Sequence, residues 1–264
     1  MVTDTSAKPK QAINSLSSTA KCPFCADMGV TGWKTTRHYP LSEVEFCNCP
    51  QGVAALDAAK RADAAKRQRA LDAMFAAAGI PQHFRGMTVD SLYQVAGDDP
   101  DKREGLQAAR ELVETGFTRG KNGLYIFGSY GMGKTGVVTP ILRSYVDNGL
   151  TGLWIEFYDF TDEVQSRYRS NSEETAQAAI KQAQEVDMLL LDDVGNPKVG
   201  EETQDRSKIL YQVVNARHNH ARPMLITSNL APGEFVKQFG ARTFERIAES
   251  CRIVQMGGRN LRHG

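Results

Sequence analysis

Leu124-Tyr125-Ile126-Phe127-Gly128-Ser129-Tyr130-Gly131-Met132-Gly133-Lys134-Thr135 is the stretch from which the rest of the chain is read. Four apolar residues suit a short buried strand. The residues from Gly128 to Thr135 fit G-x-x-x-x-G-K-[S/T] in full, and a helical stretch opens at Lys134. Strand, glycine-rich turn and helix start are the setting a phosphate-binding loop requires. Glycines let backbone N–H groups turn inward around an anion, and the helix N-terminus adds its dipole. Gly128 to Gly136 are therefore the candidate phosphate cradle, with Lys134 reaching the β- and γ-phosphates and Thr135 Oγ1 a ligand of Mg²⁺. The plain alternative, a glycine turn with a chance lysine, is disfavoured because motif and context agree. Pro140 lies early in the following helix and is expected to kink or loosen it.

Downstream, apolar runs alternate with helical stretches. The runs are Leu124 to Phe127, Leu153 to Phe157, Met188 to Leu191, Met224 to Thr227 and Arg252 to Met256. Strands apolar on both faces and separated by helices predict an α/β fold with a mostly parallel five-stranded sheet. Met188-Leu189-Leu190-Leu191 is followed by Asp192 and Asp193. A strand ending in an acid beside a phosphate-binding loop places Asp192 at the Mg²⁺, and Asp193 at the attacking water. Standing alone, the same run would be a buried strand with a turn-forming Asp pair. Met224-Leu225-Ile226-Thr227-Ser228-Asn229 also ends in polar residues. Ligands bind at the carboxyl edge of open α/β sheets, so Asn229 is a candidate contact for the γ-phosphate or the water; a Ser/Asn turn before Pro232 is the alternative. Arg242 and Arg246 lie four apart on one helix face beside Glu245 and Glu249. They read either as a surface ion-pair ladder or as an arginine finger offered to a neighbouring subunit's nucleotide, which requires a homo-oligomer.

Upstream the composition changes. Met1 to Ala20 is polar and reads as a flexible tail with no signal-peptide core. Cys22, Cys25, Cys47 and Cys49 form a C-x₂-C and a C-x-C pair, and Cys251 stands apart. Two thiolate pairs close a tetrahedral site, so zinc is expected in a structural role. An Fe–S cluster takes the same ligands but lacks a redox context here, and four unrelated thiols are the remaining alternative. Such a short module buries little apolar surface, so the metal should supply its folding free energy. The expected organisation is 1–20 tail, 21–50 zinc-binding module, 51–78 Ala-rich connecting helix and 79–264 catalytic domain. Lys plus Arg number 32 against 31 Asp plus Glu, so any nucleic-acid site must be a local patch rather than a whole-molecule field. The apolar runs are too short to span a bilayer, and a cytoplasmic protein with no membrane partner is expected.

The ordered set Gly128-x₄-Gly133-Lys134-Thr135, Leu189-Leu190-Leu191-Asp192-Asp193-Val194-Gly195, Thr227-Ser228-Asn229 and Arg242-x₃-Arg246 resembles the AAA+ ATPases of the DnaC/DnaI/IstB group. These are replicative-helicase loaders and transposition helper ATPases. Gly79-Ile80-Pro81-x-x-Phe84-Arg85 is similar to the group's leading segment, and the resemblance runs to Arg262. It implies ATP as substrate, Asp193 as catalytic acid, and Arg246, with Arg242 behind it, as the finger. The ending Gly258-Arg259-Asn260-Leu261-Arg262 resembles a Gly-x-x-Tyr-Arg ending that puts Arg262 at a second phosphate-sensing position; Leu261 departs from the usual Tyr. No helical lid domain is expected after it. The cysteine module, with Gly29 and Gly32 after its first pair, resembles the zinc module of DnaI-like loaders, where that region engages the helicase; transposition helpers usually lack it. The resemblance also implies single-stranded DNA near Arg167, Tyr168 and Arg169. Those residues, like Lys60, Arg61, Lys66, Arg67 and Arg69, otherwise read as solvated helix faces. The implied function is an ATP-dependent loader of a hexameric replicative helicase, with a transposition helper or a zinc-bearing ATP-switched adaptor as alternatives.

Overall fold

The computed structural model describes residues 22–33, 44–96, 99–115, 122–195 and 203–258. The chain divides into two compact units, Met1–Ala70 and Leu71–Gly264. Tail residues 1–20 and Arg262 lie outside the described residues.

In the first unit, β1 (Val30–Trp33) pairs antiparallel with β2 (Val44–Phe46), and α1 (Pro50–Ala77) follows. The buried cluster described there consists of Cys22, Cys25, Cys47 and Cys49. The helix α1 is one continuous element whose character changes along its length. Its Ala-, Lys- and Arg-rich stretch from Arg61 to Ala70 is almost wholly exposed. From Leu71 the apolar spacing becomes regular, and Met74, Phe75 and Ala78 join the core of the second unit. The boundary between units therefore falls inside the helix, where an amphipathic face begins.

The second unit holds α2 (Val89–Ala96), α3 (Pro100–Thr115), β3 (Gly123–Phe127), α4 (Lys134–Asp147), β4 (Gly152–Glu156), α5 (Phe157–Arg169), α6 (Glu173–Glu185), β5 (Met188–Val194), α7 (Thr203–Asn219), β6 (Met224–Ser228), α8 (Pro232–Phe239), α9 (Ala241–Ser250) and β7 (Cys251–Gln255). The five expected runs form one parallel sheet in the order β4-β5-β6-β3-β7. Alternate residues of the central strands serve opposite cores. Leu124, Ile126, Leu190 and Leu225 pack with α3 and α4, while Tyr125, Leu189, Leu191 and Ile226 pack with the helices from α5 to α9. This double burial is why these strands are apolar at every position rather than alternating. Pro140 is buried inside α4, and the helix runs through it without interruption.

Because the strands are parallel, the segments after β3, β4, β5 and β6 all emerge at one carboxyl edge. At the opposite edge, the fully buried Arg217 of α7 donates to the carbonyls of Ala183 (2.9 Å), Val186 (2.8 Å) and Pro223. That guanidinium ties the ends of α6 and α7 to the starts of β5 and β6. Among the described residues, no helix is long and apolar enough to cross a membrane.

Candidate functional site

The loop between β3 and α4 takes its shape from backbone constraints. Gly128 has φ +152°, and a Cβ there would lie 2.0 Å from Met256 O, so glycine alone fits. Gly133, at φ +87°, turns the chain into α4, and no side chain caps that helix start. Its first N–H groups lack intrahelical acceptors. An uncapped helix start behind a glycine cradle fits a phosphate chain. Met132 anchors the loop in the core, Gly136 is buried below it, and Ser129 and Tyr130 are exposed. Lys134 is buried, and its Nζ donates to Gly128 O (2.9 Å), Ser129 O (2.9 Å) and Asn229 Oδ1 (2.7 Å).

The acids of β5 meet the same corner. Asp192 Oδ1 accepts from Thr135 Oγ1 (2.9 Å) and from Thr227 Oγ1 (2.6 Å). Burial pushes the Asp192 carboxyl above its ordinary range, and the neighbouring Asp193 adds to the push; the hydroxyls of Thr227 and Thr135 and the Lys134 charge oppose it. A hydroxyl and a carboxylate oxygen side by side are the hard oxygen donors that suit Mg²⁺. Asp193 Oδ1 accepts from Asn229 Nδ2 (2.7 Å). Lys134, Thr135, Asp192, Asp193 and Asn229, drawn from two strand ends and one helix start, thus form one network, joined through Thr227.

Two members of this corner escaped the sequence reading. Thr227 is fully buried and touches both acids. Glu156 ends β4 directly beside Asp192 in register. Its carboxylate accepts from Asp159 N (2.8 Å), and burial, with Asp159 and Asp193 nearby, holds its carboxyl above the ordinary range. The signal for Glu156 was present: β4, like β5, is an apolar run closed by an acid.

The arginines of α9 are placed differently. Arg242 is exposed near the start of the helix. Arg246 donates to Glu249 Oε2 (3.0 Å), with His218 Nε2 3.3 Å away. The helix runs straight into Cys251, which pairs with Gly123 at the amino end of β3, so Arg246 sits towards the edge opposite its own phosphate loop. On α5, Arg167 pairs with Glu163 and donates to Thr175 O (2.8 Å), and Tyr168 OH accepts from Gln177 (2.6 Å).

In the first unit the four Sγ atoms all lie within 4.8 Å of one another. Cys22 and Cys47 approach to 3.7 Å, and Cys25 and Cys49 to 3.6 Å. A tetrahedral zinc with Zn–S near 2.3 Å spaces its sulfurs by about 3.8 Å, so the four fit that ion. Backbone N–H groups support the thiolate form: those of Phe24 and Cys25 lower Cys22 to about 7, and Gly52 N donates to Cys49 Sγ (3.3 Å). Cys49 N–H also lowers Cys47, yet burial and the adjacent thiols push it up to about 12. The Cys22 thiolate forms easily while Cys25 and Cys47 resist, as expected of ligands whose mutual repulsion a cation relieves.

Comparison with known proteins adds the following. Residues 56–264 match the family described as IstB-like ATP binding protein. The replicative helicase loader DnaI of Bacillus subtilis (strain 168) is 23% identical over 235 residues, covering 84% of this chain and 70% of that protein. The crystal structure of the DnaC helicase loader superposes with TM-score 0.57 at 17% identity, over 67% of this chain and 100% of that one. The replication initiator DnaA bound to AMPPCP and single-stranded DNA gives TM-score 0.54 at 18% identity, over 65% of this chain and 50% of that one. These structures share their fold with this chain.

Proposed function

Because the chain belongs to the IstB-like ATP-binding protein family, we propose that it is a cytoplasmic ATPase that grips a hexameric replicative helicase and loads it onto single-stranded DNA during replication initiation. The observation that carries the ATPase reading is the hydrogen-bond chain from Lys134 through Asn229 to Asp193, beside that from Thr135 through Asp192 to Thr227. The loader reading rests on the DnaI similarity, which covers more of the chain than Leu71–Gly264 supplies, and on the cysteine cluster.

In this reading Lys134 exchanges its loop carbonyls for the β- and γ-phosphates of ATP, and the N–H groups of the loop and of α4 hold the remaining phosphate oxygens. Thr135 and Asp192 hold Mg²⁺, which when bound neutralises charge on the transferring phosphoryl. Asp193, kept in place by Asn229, orients the attacking water and receives its proton. Arg246, turned away from its own loop, serves a neighbour's nucleotide in a homo-oligomer, and Arg262 senses phosphate from the chain end. Cys22, Cys25, Cys47 and Cys49 bind a structural zinc that shapes the helicase-binding module.

The second reading, from the resemblance of the motifs to IstB-type proteins, is a transposition helper with the same ATPase. Two assays separate the readings. Phosphate release should rise with single-stranded DNA, and the full chain should capture a hexameric replicative helicase rather than a transposase. Capture of transposase alone selects the second reading. Nucleotide binding without turnover selects an ATP-switched adaptor.

A further inference from the structure

Consecutive residues on a regular strand face opposite sides of the sheet, so Asp192 and Asp193 should diverge. They serve one corner because β5 is irregular there. Leu191 pairs with Ile226 and Val194 with Ser228, so two residues of β5 stand opposite the single residue Thr227 of β6. This is a β-bulge, which re-aims side chains. Asp193 adopts φ +56°, a left-handed conformation that aspartate tolerates but seldom takes.

Thr227 spans the bulge. Its hydroxyl donates to Asp192 Oδ1 (2.6 Å) and accepts from Asp193 N (2.9 Å). One donor and one acceptor are thereby used, on the two residues whose directions the bulge sets. The residue cannot swing away, since it is fully buried and its backbone pairs with Ile126 of β3 on the far side. We propose that Thr227 is a positioning residue whose hydroxyl holds the β5 bulge closed, so that Asp193 meets Asn229 and Asp192 meets Thr135. This rests on the ATPase reading for its consequence, but not for its geometry.

The test compares Thr227→Val, which keeps shape and deletes the hydroxyl, with Thr227→Ser, which does the reverse. Phosphate release by Thr227→Val should fall at least about tenfold while affinity for a fluorescent ATP analogue stays within about threefold, and Thr227→Ser should stay within about threefold of the parent in both. In a crystal structure of Thr227→Val, Asp193 should no longer be hydrogen-bonded to Asn229. If that variant does not fold, Thr227→Ala against Thr227→Ser carries the same contrast. Unchanged turnover in the valine variant, a serine variant as impaired as the valine one, or an intact Asp193–Asn229 hydrogen bond would overturn the inference. A parent without turnover rejects the ATPase reading alone, and the Asp193–Asn229 geometry of the variant crystal still decides the role of Thr227.

Discussion

Lys134→Ala removes the ammonium at the centre of the loop. In the free protein Nζ has three acceptors between 2.7 and 2.9 Å, two of them loop carbonyls. Bound ATP would offer phosphate oxygens in their place, and a hydrogen bond involving a charged group is worth about 1.5–3 kcal/mol net. Losing one such bond costs about 1.5–3 kcal/mol, which is roughly 10- to 160-fold in Kd. Most of the difference appears on binding, because Ser129 is exposed and Gly128 only half-buried, so water can take the place of the ammonium at this turn. Titration of a fluorescent ATP analogue, with circular dichroism to confirm folding, measures it. A folded Lys134→Ala protein whose affinity falls less than about threefold would refute the placement of phosphate in this loop.

The double change Cys22→Ser with Cys25→Ser should abolish zinc binding and unfold the first unit, since a structural zinc contributes about 10–16 kcal/mol to small modules; thermal melting of the second unit should be unchanged, and retained helicase capture would contradict the module's proposed role. Arg246→Ala subunits and Lys134→Ala subunits, each inactive alone, should regain phosphate release when mixed, because each lends the other an intact half-site; absence of rescue argues against a finger acting between subunits. Arg217→Met should lower stability by about 3 kcal/mol or more in urea unfolding, because it strands the carbonyls of Ala183, Val186 and Pro223 around a fully buried side chain; a loss below about 0.5 kcal/mol would show that those carbonyls find other donors.

The fold was legible because its signals are local. The strand ending at Phe127, the glycines after it and the lysine opening α4 are contiguous, and the central strands betray their double burial by lacking polar positions. Asp192 and Asn229 could be nominated because each follows an apolar run, and Lys134 because it opens α4 after the glycine turn; parallel strands bring such ends together. What stayed hidden depends on pairings across the sheet. Nothing in Asp192-Asp193 announces a bulge, and nothing in Thr227 announces that its hydroxyl spans one. The unit boundary inside α1 was equally obscure, because the helix is continuous and only its exposure changes. Of the partners of Arg246, Glu249 lies three residues on in α9 and was legible, whereas His218 comes from packing between α7 and α9, which spacing within one helix cannot show.

The central claim is that this corner hydrolyses ATP with Asp193 as its acid. Phosphate release by Asp193→Asn, measured beside its affinity for ATP, tests it most directly. The account predicts release reduced at least about 100-fold with Kd within about threefold of the parent. Equal release by parent and variant, with nucleotide bound in both, would contradict it.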